Sequence, residues 1–110
     1  MPYRAAAHEL SDRRSLELHR EVARRLRSDA ELLDRARARV EEWAVSGAVH
    51  PHYVEQWQRL FESGLDSVVN VLEDPGDVGQ ALRQVSPFAF VLDPRERWRL
   101  LKRVSGQADL

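Results

Sequence analysis

The stretch from Leu82 to Trp98, LRQVSPFAFVLDPRERW, decides how the end of the chain returns to the rest of the fold. Ser86-Pro87 ends a helical pattern, because the residue before a proline disfavours the helical conformation. Residues 93–96, DPRE, then start a last helix, with the aspartate as cap and the proline at the first helical position. The run Phe88–Leu92 between them is apolar throughout and is compatible with an extended segment. Two proline-anchored turns around an apolar run therefore predict a tight corner that folds the last helix onto a bundle.

Upstream of this corner, apolar residues recur at three- and four-residue spacing, which is typical of helices with one buried face. They predict helices over about residues 12–27 and 29–46, a helix from Pro51 to Gly64, and short helices over about 65–72 and 75–83, before the last helix that ends near 104. No alternating strand pattern and no internal repeat is present. The predicted fold is all-α, a single-domain bundle of about five or six helices in which two longer helices are followed by shorter ones.

The junction of the first two helices has two interpretations. Ser28-Asp29-Ala30-Glu31 has the spacing of a capping box, in which Ser28 accepts from the amide of Glu31 and the glutamate carboxylate reaches back. This spacing favours a break near Ser28. One continuous helix over residues 12–46 is the alternative.

Length and composition limit the class of protein. The chain has 110 residues, so we expect one helical domain over residues 11–104, with a flexible N-terminus at 1–10 and a flexible C-terminus at 105–110. The formal net charge of −1 argues against a protein that coats nucleic acid through bulk charge. The absence of cysteine excludes disulfides and thiol nucleophiles. No apolar run approaches the roughly 20 residues of a membrane span, and no signal-peptide core is visible, so we expect a cytoplasmic protein with no membrane partner.

Charge is distributed unevenly along the chain. Residues 55–77 carry six acidic residues and one basic residue, whereas residues 83–103 carry six basic residues and two acidic ones. One interpretation is that the two segments pack near each other. The other is that the basic third forms a contact surface around Arg95, Arg97, Arg99, Lys102 and Arg103.

Candidate catalytic groups are few. His50 and His52 lie two residues apart, point in different directions on a helix, and have no cysteine or acidic ligand beside them. The serines lack a nucleophile-elbow motif, and the five glycines form no phosphate-binding loop. We therefore expect a protein that is not an enzyme, and we assign no catalytic residue, no metal ligand and no cofactor.

The corner also has a functional interpretation, as a rigid recognition loop. In this interpretation Phe88 and Phe90 are apolar anchors surrounded by arginines, and a preformed loop loses little entropy on binding. The predicted partner-binding residues are Arg83, Ser86, Pro87, Phe88, Phe90, Arg95, Arg97 and Arg99. The three tryptophans, Trp43, Trp57 and Trp98, all lie on apolar stripes, so core packing is expected for each.

An alternative interpretation is DNA binding by the first helices. Arg20, Arg24 and Arg27 recur along helix 1 and are the predicted nucleic-acid contacts. Acidic residues nearly balance the arginines in this half of the chain, and no glycine turn joins two helices as in a helix-turn-helix.

The pattern L-R-Q-x-S-P-F-A-x-V-L-x-P-R-E-R-W at residues 82–98, together with S-L-E-L-H-R at 15–20 and V-H-P-H-Y at 49–53, resembles a group of small bacterial helical proteins. These antitoxin-like proteins are encoded beside nucleotidyltransferase-type toxins. The resemblance covers most of residues 15–101. Phe90 stands where that pattern commonly has glycine, so a loop conformation that requires positive φ is in question.

The resemblance implies an antitoxin-like function: direct binding of a cognate toxin and occlusion of its active site. A DNA-binding transcriptional regulator and a helical adaptor or scaffold are the alternatives. The oligomeric state is left open by the sequence.

Overall fold

The computed structural model describes the backbone of residues 2–108 and the side chains of residues 10–104. Over this range the chain is all-helical, with no strand, which confirms the predicted all-α bundle. The helices are α1 (Pro2–Ser28), α2 (Glu31–Ser46), α3 (Pro51–Ser63), α4 (Leu65–Glu73), α5 (Asp77–Gln84) and α6 (Pro94–Ala108). None of the helices, within the residues searched, is both long enough and apolar enough to cross a membrane.

Helix α1 is the element around which the bundle is built. It lies against α4, α5 and α6, whereas α2 packs mainly on α3, and α3 continues the layer onto α4. The fully buried side chains at the centre come from four helices and the corner: Leu26, Val40, Trp57, Val68, Val69, Leu72, Pro87 and Phe88. The core therefore joins distant parts of the sequence through one continuous apolar cluster.

The first and last helices of the chain, α1 and α6, extend beyond their predicted ends. Helix α1 begins at Pro2 instead of near residue 12, and α6 continues to Ala108 instead of ending near Val104. Proline is tolerated at a first helical position, and the alanines at 5–7 have the highest helix propensity, which explains the early start. The flexibility predicted for residues 1–10 and 105–110 stays a prediction, and Met1, Asp109 and Leu110 lie outside the described residues.

The break between α1 and α2 is confirmed, but the predicted capping box is wrong. Asp29 Oδ1 accepts from the amide of Glu31 at 3.1 Å, while Ser28 Oγ donates to the carbonyl of Arg25 at 3.2 Å. Ser28 thus belongs to the end of α1, and Asp29 supplies the acceptor at the start of α2. At the other end of α2, Gly47 adopts φ 73°, the left-handed conformation expected of a C-terminal cap.

The corner is a series of turns and not an extended segment. Residues 87–90 are turns and 91–92 bends, so the extended alternative for Phe88–Leu92 is wrong. Phe88 packs with its ring centroid 5.9 Å from that of Trp57 and 6.2 Å from that of Phe61. Trp57 Nε1 also donates to the carbonyl of Val85 at 3.0 Å. Because the side chain of Phe88 is anchored in the core, the backbone bends at this point, and residues 88–92 form a corner.

Helix α6 starts as the sequence predicts. The amide of Glu96 donates to Asp93 Oδ1 at 2.8 Å, and the amide of Asp93 donates to Glu96 Oε1 at 3.2 Å. This reciprocal capping box fixes the direction in which α6 leaves the corner. Throughout the described backbone no residue other than glycine has positive φ, so Phe90 fits this loop without strain.

Candidate protein-binding surface

Helix α6 is held on α1 by one side only. Val104 is buried, Leu101 is half-buried, and Glu96 forms an ion pair with Arg25 of α1. Arg25 also donates to the carbonyl of Val91 in the corner, at 3.3 Å. The hydrogen bond from Arg25, followed by the backbone bond at Asp93, lowers the pKa of Glu96 to about 2. This carboxylate is therefore ionised at neutral pH and is committed to an internal contact.

The outer side of α6 carries an exposed tryptophan, contrary to the predicted core role. Trp98 is 61 % exposed, although a large aromatic side chain in a small domain usually contributes to the core. Lys102 Nζ lies 4.8 Å from the ring centroid, in cation–π contact. We name this surface the α6 face; it comprises Arg95, Arg97, Trp98, Arg99, Lys102 and Arg103.

The cations of the α6 face have no carboxylate partners among the described residues. None of its five basic side chains takes part in an ion pair of that part of the chain. Glu96 is the one acidic residue in the sequence of α6, and it pairs with Arg25. Packing of residues 83–103 against the acidic segment 55–77 was one interpretation of the sequence. In the described chain, that packing does not neutralise the basic side chains of the α6 face. The α6 face projects a positive field into solvent.

Two open clefts meet at Trp98. One, of about 690 Å³, lies between α1 and α6 and includes Glu21, Arg25 and Arg99 in its lining. The other, of about 610 Å³, lies between the corner and α6 and includes Phe90 and Arg97. Trp98 lines both, so an incoming side chain on either side of the ring gains contact with it.

Phe90 extends the apolar surface toward α2. It is half-buried, and the guanidinium carbon of Arg35 lies 4.3 Å from its ring centroid. This contact leaves part of the ring accessible beside the cleft shared with Trp98. Phe90, Arg95, Arg97 and Arg99 are thus the predicted partner-binding residues that the structure places at or near the same surface.

Arg83 is corrected from a partner contact to an internal residue. It is 5 % exposed, and its Nη1 donates to the carbonyls of Val71, Leu72 and Asp74 at 3.3, 3.4 and 2.5 Å. The carbonyl of Val71 also accepts from the amide of Asp74 at 3.3 Å, so Arg83 adds a donor at the end of α4, where the last carbonyls lack partners within the helix. A Cβ at Gly79 would lie 2.9 Å from this Nη1, so the missing side chain of glycine permits the approach. Arg83 is a structural cap, and at this exposure it is not available to a partner protein at the surface.

Three further predicted contacts belong to the interior. Pro87 and Phe88 are buried, so both are core residues of the corner. Ser86 is half-buried; its Oγ lies 2.8 Å from His19 Nε2 and accepts from the amide of Phe88 at 3.1 Å. The predicted recognition loop thus divides into an inner half that anchors the corner and an outer half that begins at Phe90.

His19 acquires a role that the sequence did not indicate. Its Nδ1 lies 2.7 Å from the carbonyl of Ser15, which can only accept, so Nδ1 carries the proton and Nε2 accepts from Ser86. Burial is the main cause that lowers the pKa of His19 to about 4. The hydrogen bond to Ser15 raises this pKa, and the charges of Arg83 and Arg97 lower it further. A neutral histidine therefore ties the middle of α1 to the corner.

The arginines of the predicted DNA contact are paired with carboxylates. Arg20 pairs with Glu17 at 2.6 Å, Arg24 pairs with Glu21, and Arg27 lies 3.6 Å from Glu73 of α4. The exposed pairs add little stability, but they reduce the positive potential along α1. The α6 face carries the larger unbalanced charge.

Other candidate groups form no site in the described chain. No three histidine, cysteine, aspartate or glutamate side chains in the residues searched lie close enough to hold a metal ion. His50 accepts from the amide of His52 at 3.1 Å and so caps the start of α3. Trp57 is a core residue as predicted, and Trp43 is half-buried against the core.

The basic residues around Trp98 in the sequence indicate an exposed position, although its apolar spacing indicates the core. Trp98 is spaced for the same stripe as Leu101 and Val104, which led to the core prediction. Its immediate neighbours, however, are Arg97 and Arg99, and basic residues follow at four and five positions further on. Tryptophan among arginines is a combination common at the centre of protein interfaces.

Comparisons with known proteins do not assign the chain to a family. No protein-family model, no curated protein and no solved structure matches it.

Proposed function

We propose that the protein is a non-enzymatic, antitoxin-like protein of the cytoplasm that neutralises a cognate toxin by covering its active site with the α6 face. The observation that carries this proposal is Trp98, an exposed aromatic side chain surrounded by cations without carboxylate partners. The class of partner rests on the resemblance of the pattern at residues 82–98 to proteins encoded beside nucleotidyltransferase-type toxins.

Charge complementarity supports an acidic partner. The metal-binding site of a nucleotidyltransferase is built from carboxylates, so its entrance carries negative charge. Arg95, Arg97 and Arg99 offer bidentate donors to carboxylates, and a positive surface also accelerates the encounter of the two proteins. Trp98 supplies the apolar anchor that excludes water from the centre of the contact.

The proposed mechanism is steric occlusion. The clefts on either side of Trp98 receive side chains of the toxin, while the arginines neutralise the carboxylates that would otherwise hold metal and nucleotide. The rigid corner and the capping box at Asp93 set the direction of α6 before binding. Little conformational entropy is then lost in the complex.

The proposal requires a nucleotidyltransferase-type protein encoded in the same operon, and co-expression with that protein is the test. The wild-type protein is expected to restore growth and to form a stoichiometric complex. Arg97→Glu is expected to weaken the complex about tenfold or more, and Trp98→Ala about 30-fold, without changing the thermal midpoint of the free protein. Calorimetric titration of the purified partners gives both affinities.

Matched controls come from α2, which lies outside the α6 face. Arg39 and Val45 are exposed there, so Arg39→Glu repeats the charge reversal at a distance, and Val45→Ala truncates another exposed apolar side chain. Both controls are expected to bind as the wild type does. Equal losses in the controls and the α6 variants, or no loss in either, contradict the proposed surface.

The alternative functions give different results in the same preparation. A transcriptional regulator retards its own promoter fragment, with affinity that falls steeply as salt is added. An adaptor neither binds that DNA nor restores growth. Either result overturns the antitoxin proposal.

A further inference from the structure

A third cavity lies between α1, the end of α5, the corner and α6. It has a volume of about 380 Å³, within the usual range for small-molecule sites, about 300–1,000 Å³. Its polar lining includes Ser11, Arg14, Ser15, His19, Arg83, Gln84, Ser86 and Arg97. None of the described residues that line it is an aspartate or a glutamate.

The charge of this cavity comes from arginine alone. Arg14, Arg83 and Arg97 line it together, and guanidinium groups stay protonated in proteins. Burial lowers the pKa of Arg83, and the nearby carboxylates of Asp74 and Asp12 oppose this effect. Neither carboxylate is among the described lining residues, so the charged groups that line the described cavity are arginines.

Arg83 retains an unused donor. Its Nη1 caps the end of α4, but its Nε is buried and has no hydrogen-bond partner among the side chains and backbone that the structure describes. A buried donor of a charged group without a partner is costly, and contact with a bound ion or ligand is one way in which such a donor is satisfied. Arg97, exposed at the rim, forms no ion pair with any described residue.

The polar floor of the cavity is neutral. His19 donates to Ser15 and accepts from Ser86, so the single hydroxyl proton of Ser86 is committed to the histidine. Because the pKa of His19 is lowered to about 4, this pair is unsuited to act as a base near neutral pH. The pair positions the corner and leaves recognition of a ligand to the arginines.

The remaining lining is apolar. Leu18, Val22, Phe88, Leu92 and Leu101 line the same space. An inorganic ion alone would leave this surface without contacts. A molecule with an anionic end and a compact apolar end fits both parts of the lining.

We propose that this cavity binds a small organic anion, with its carboxylate or phosphate group held by Arg83 and Arg97 and its apolar part against Leu18, Leu92 and Leu101. The planar guanidinium of arginine forms paired hydrogen bonds with either oxyanion. This proposal concerns the isolated protein and does not depend on the existence of a toxin.

Titration of the ¹⁵N-labelled full chain tests the proposal by NMR. The probes are benzoate, phenyl phosphate and inorganic phosphate, with benzyl alcohol as the uncharged counterpart of benzoate. Saturable shifts of the Arg83 Nε–H signal and the Phe88 amide are expected with benzoate and phenyl phosphate. Inorganic phosphate is expected to bind at least about tenfold more weakly, because it makes no apolar contact.

The relative affinities of the two organic anions identify the favoured head group. Absence of saturable shifts at these two signals with both organic anions overturns the proposal. Binding of benzyl alcohol as tight as that of benzoate also overturns it, because the arginines would then contribute nothing.

Substitutions at exposed positions that line the cavity test ligand binding without disturbing the folded core. Arg97→Gln, at an exposed position that lines the cavity, is expected to weaken benzoate binding about tenfold. Arg99→Gln is the matched control, since Arg99 is exposed on the same helix and does not line the cavity. Ser11→Leu, at the exposed entrance on α1, is expected to reduce binding by obstruction. Equal affinities in the Arg97 and Arg99 variants contradict the assignment.

Discussion

Arg83 and Arg99 are arginines of two helices that both pack on α1, yet they lie in opposite environments. Arg83 is 5 % exposed and caps the end of α4, whereas Arg99 is exposed and has no ion pair in the described chain. Phe88 and Trp98 repeat this contrast among the aromatic residues, at 1 % and 61 % exposure. Sequence reasoning combined the corner and the start of α6 into one binding surface. The difference teaches that residue type alone does not separate a structural role from a recognition role.

The largest effect is expected at the aromatic residue inside the corner. Phe88→Ala removes a ring packed between Trp57 and Phe61 and leaves a cavity, which costs about 4 kcal/mol of the free energy of unfolding. Phe90→Ala, at a half-buried position, is expected to cost about 1 kcal/mol. Urea denaturation of the two variants measures both values. Equal costs would remove the distinction between the inner and outer halves of the loop.

Acid is expected to weaken the corner through His19. The pKa of His19 is about 4 in the folded protein and 6.5 in its reference state, so the unfolded chain binds more protons between these values. The associated stability is complete above pH 6.5 and is lost as the pH falls towards 4. The loss amounts to roughly 3 kcal/mol by pH 4. Chemical denaturation at a series of pH values measures this loss.

His19→Gln is the variant that isolates the histidine contribution. Its amide can still donate to Ser15 and accept from Ser86, but it does not titrate. A smaller loss of stability between pH 6.5 and 4 is expected in this variant. The same pH profile in both proteins would show that other groups cause the acid sensitivity.

A smaller effect is expected when the buried arginine is replaced. Arg83→Met removes the side-chain donor to the carbonyls of Leu72 and Asp74, which costs about 2 kcal/mol. Arg99→Met is expected to change stability by less than about 0.5 kcal/mol, because that side chain is exposed. Thermal unfolding of the pair measures the difference. A change at Arg99 as large as that at Arg83 would refute the structural distinction between these arginines.

The smallest effect on folding is expected at the centre of the α6 face. Trp98→Ala should leave the free energy of unfolding within about 0.5 kcal/mol of the wild-type value, because the ring makes little contact with the core. This result contrasts with the loss of affinity proposed for the same variant. Destabilisation of several kcal/mol would instead mean that Trp98 supports the fold.

Much of the helical organisation could be predicted from local sequence. Asp93 and Glu96 formed the expected capping box, with Pro94 at the first helical position. The corner was predicted from its two prolines. Capping and backbone restrictions act within about four residues, so they can be recognised without knowledge of the tertiary structure.

The candidate site was only partly predictable. Arg95, Arg97 and Arg99 were named from the sequence and lie on the exposed side of α6, but Trp98 was assigned to the core. Arg83, Pro87 and Phe88 were named as contacts and are buried. A regular apolar spacing indicates a helical stripe, but it does not show how wide a strip the neighbouring helix covers.

The sequence by itself determined an all-α chain, the positions of its principal turns and the uneven distribution of its charge. These features follow from backbone propensities, caps and the order of residues, which are local. Only the tertiary structure decided which arginines are internal, that His19 meets Ser86 across 67 positions of sequence, and that Trp98 remains in solvent. The physical reason is that burial and hydrogen-bond partnership depend on which helices meet. Those contacts join residues far apart in the chain.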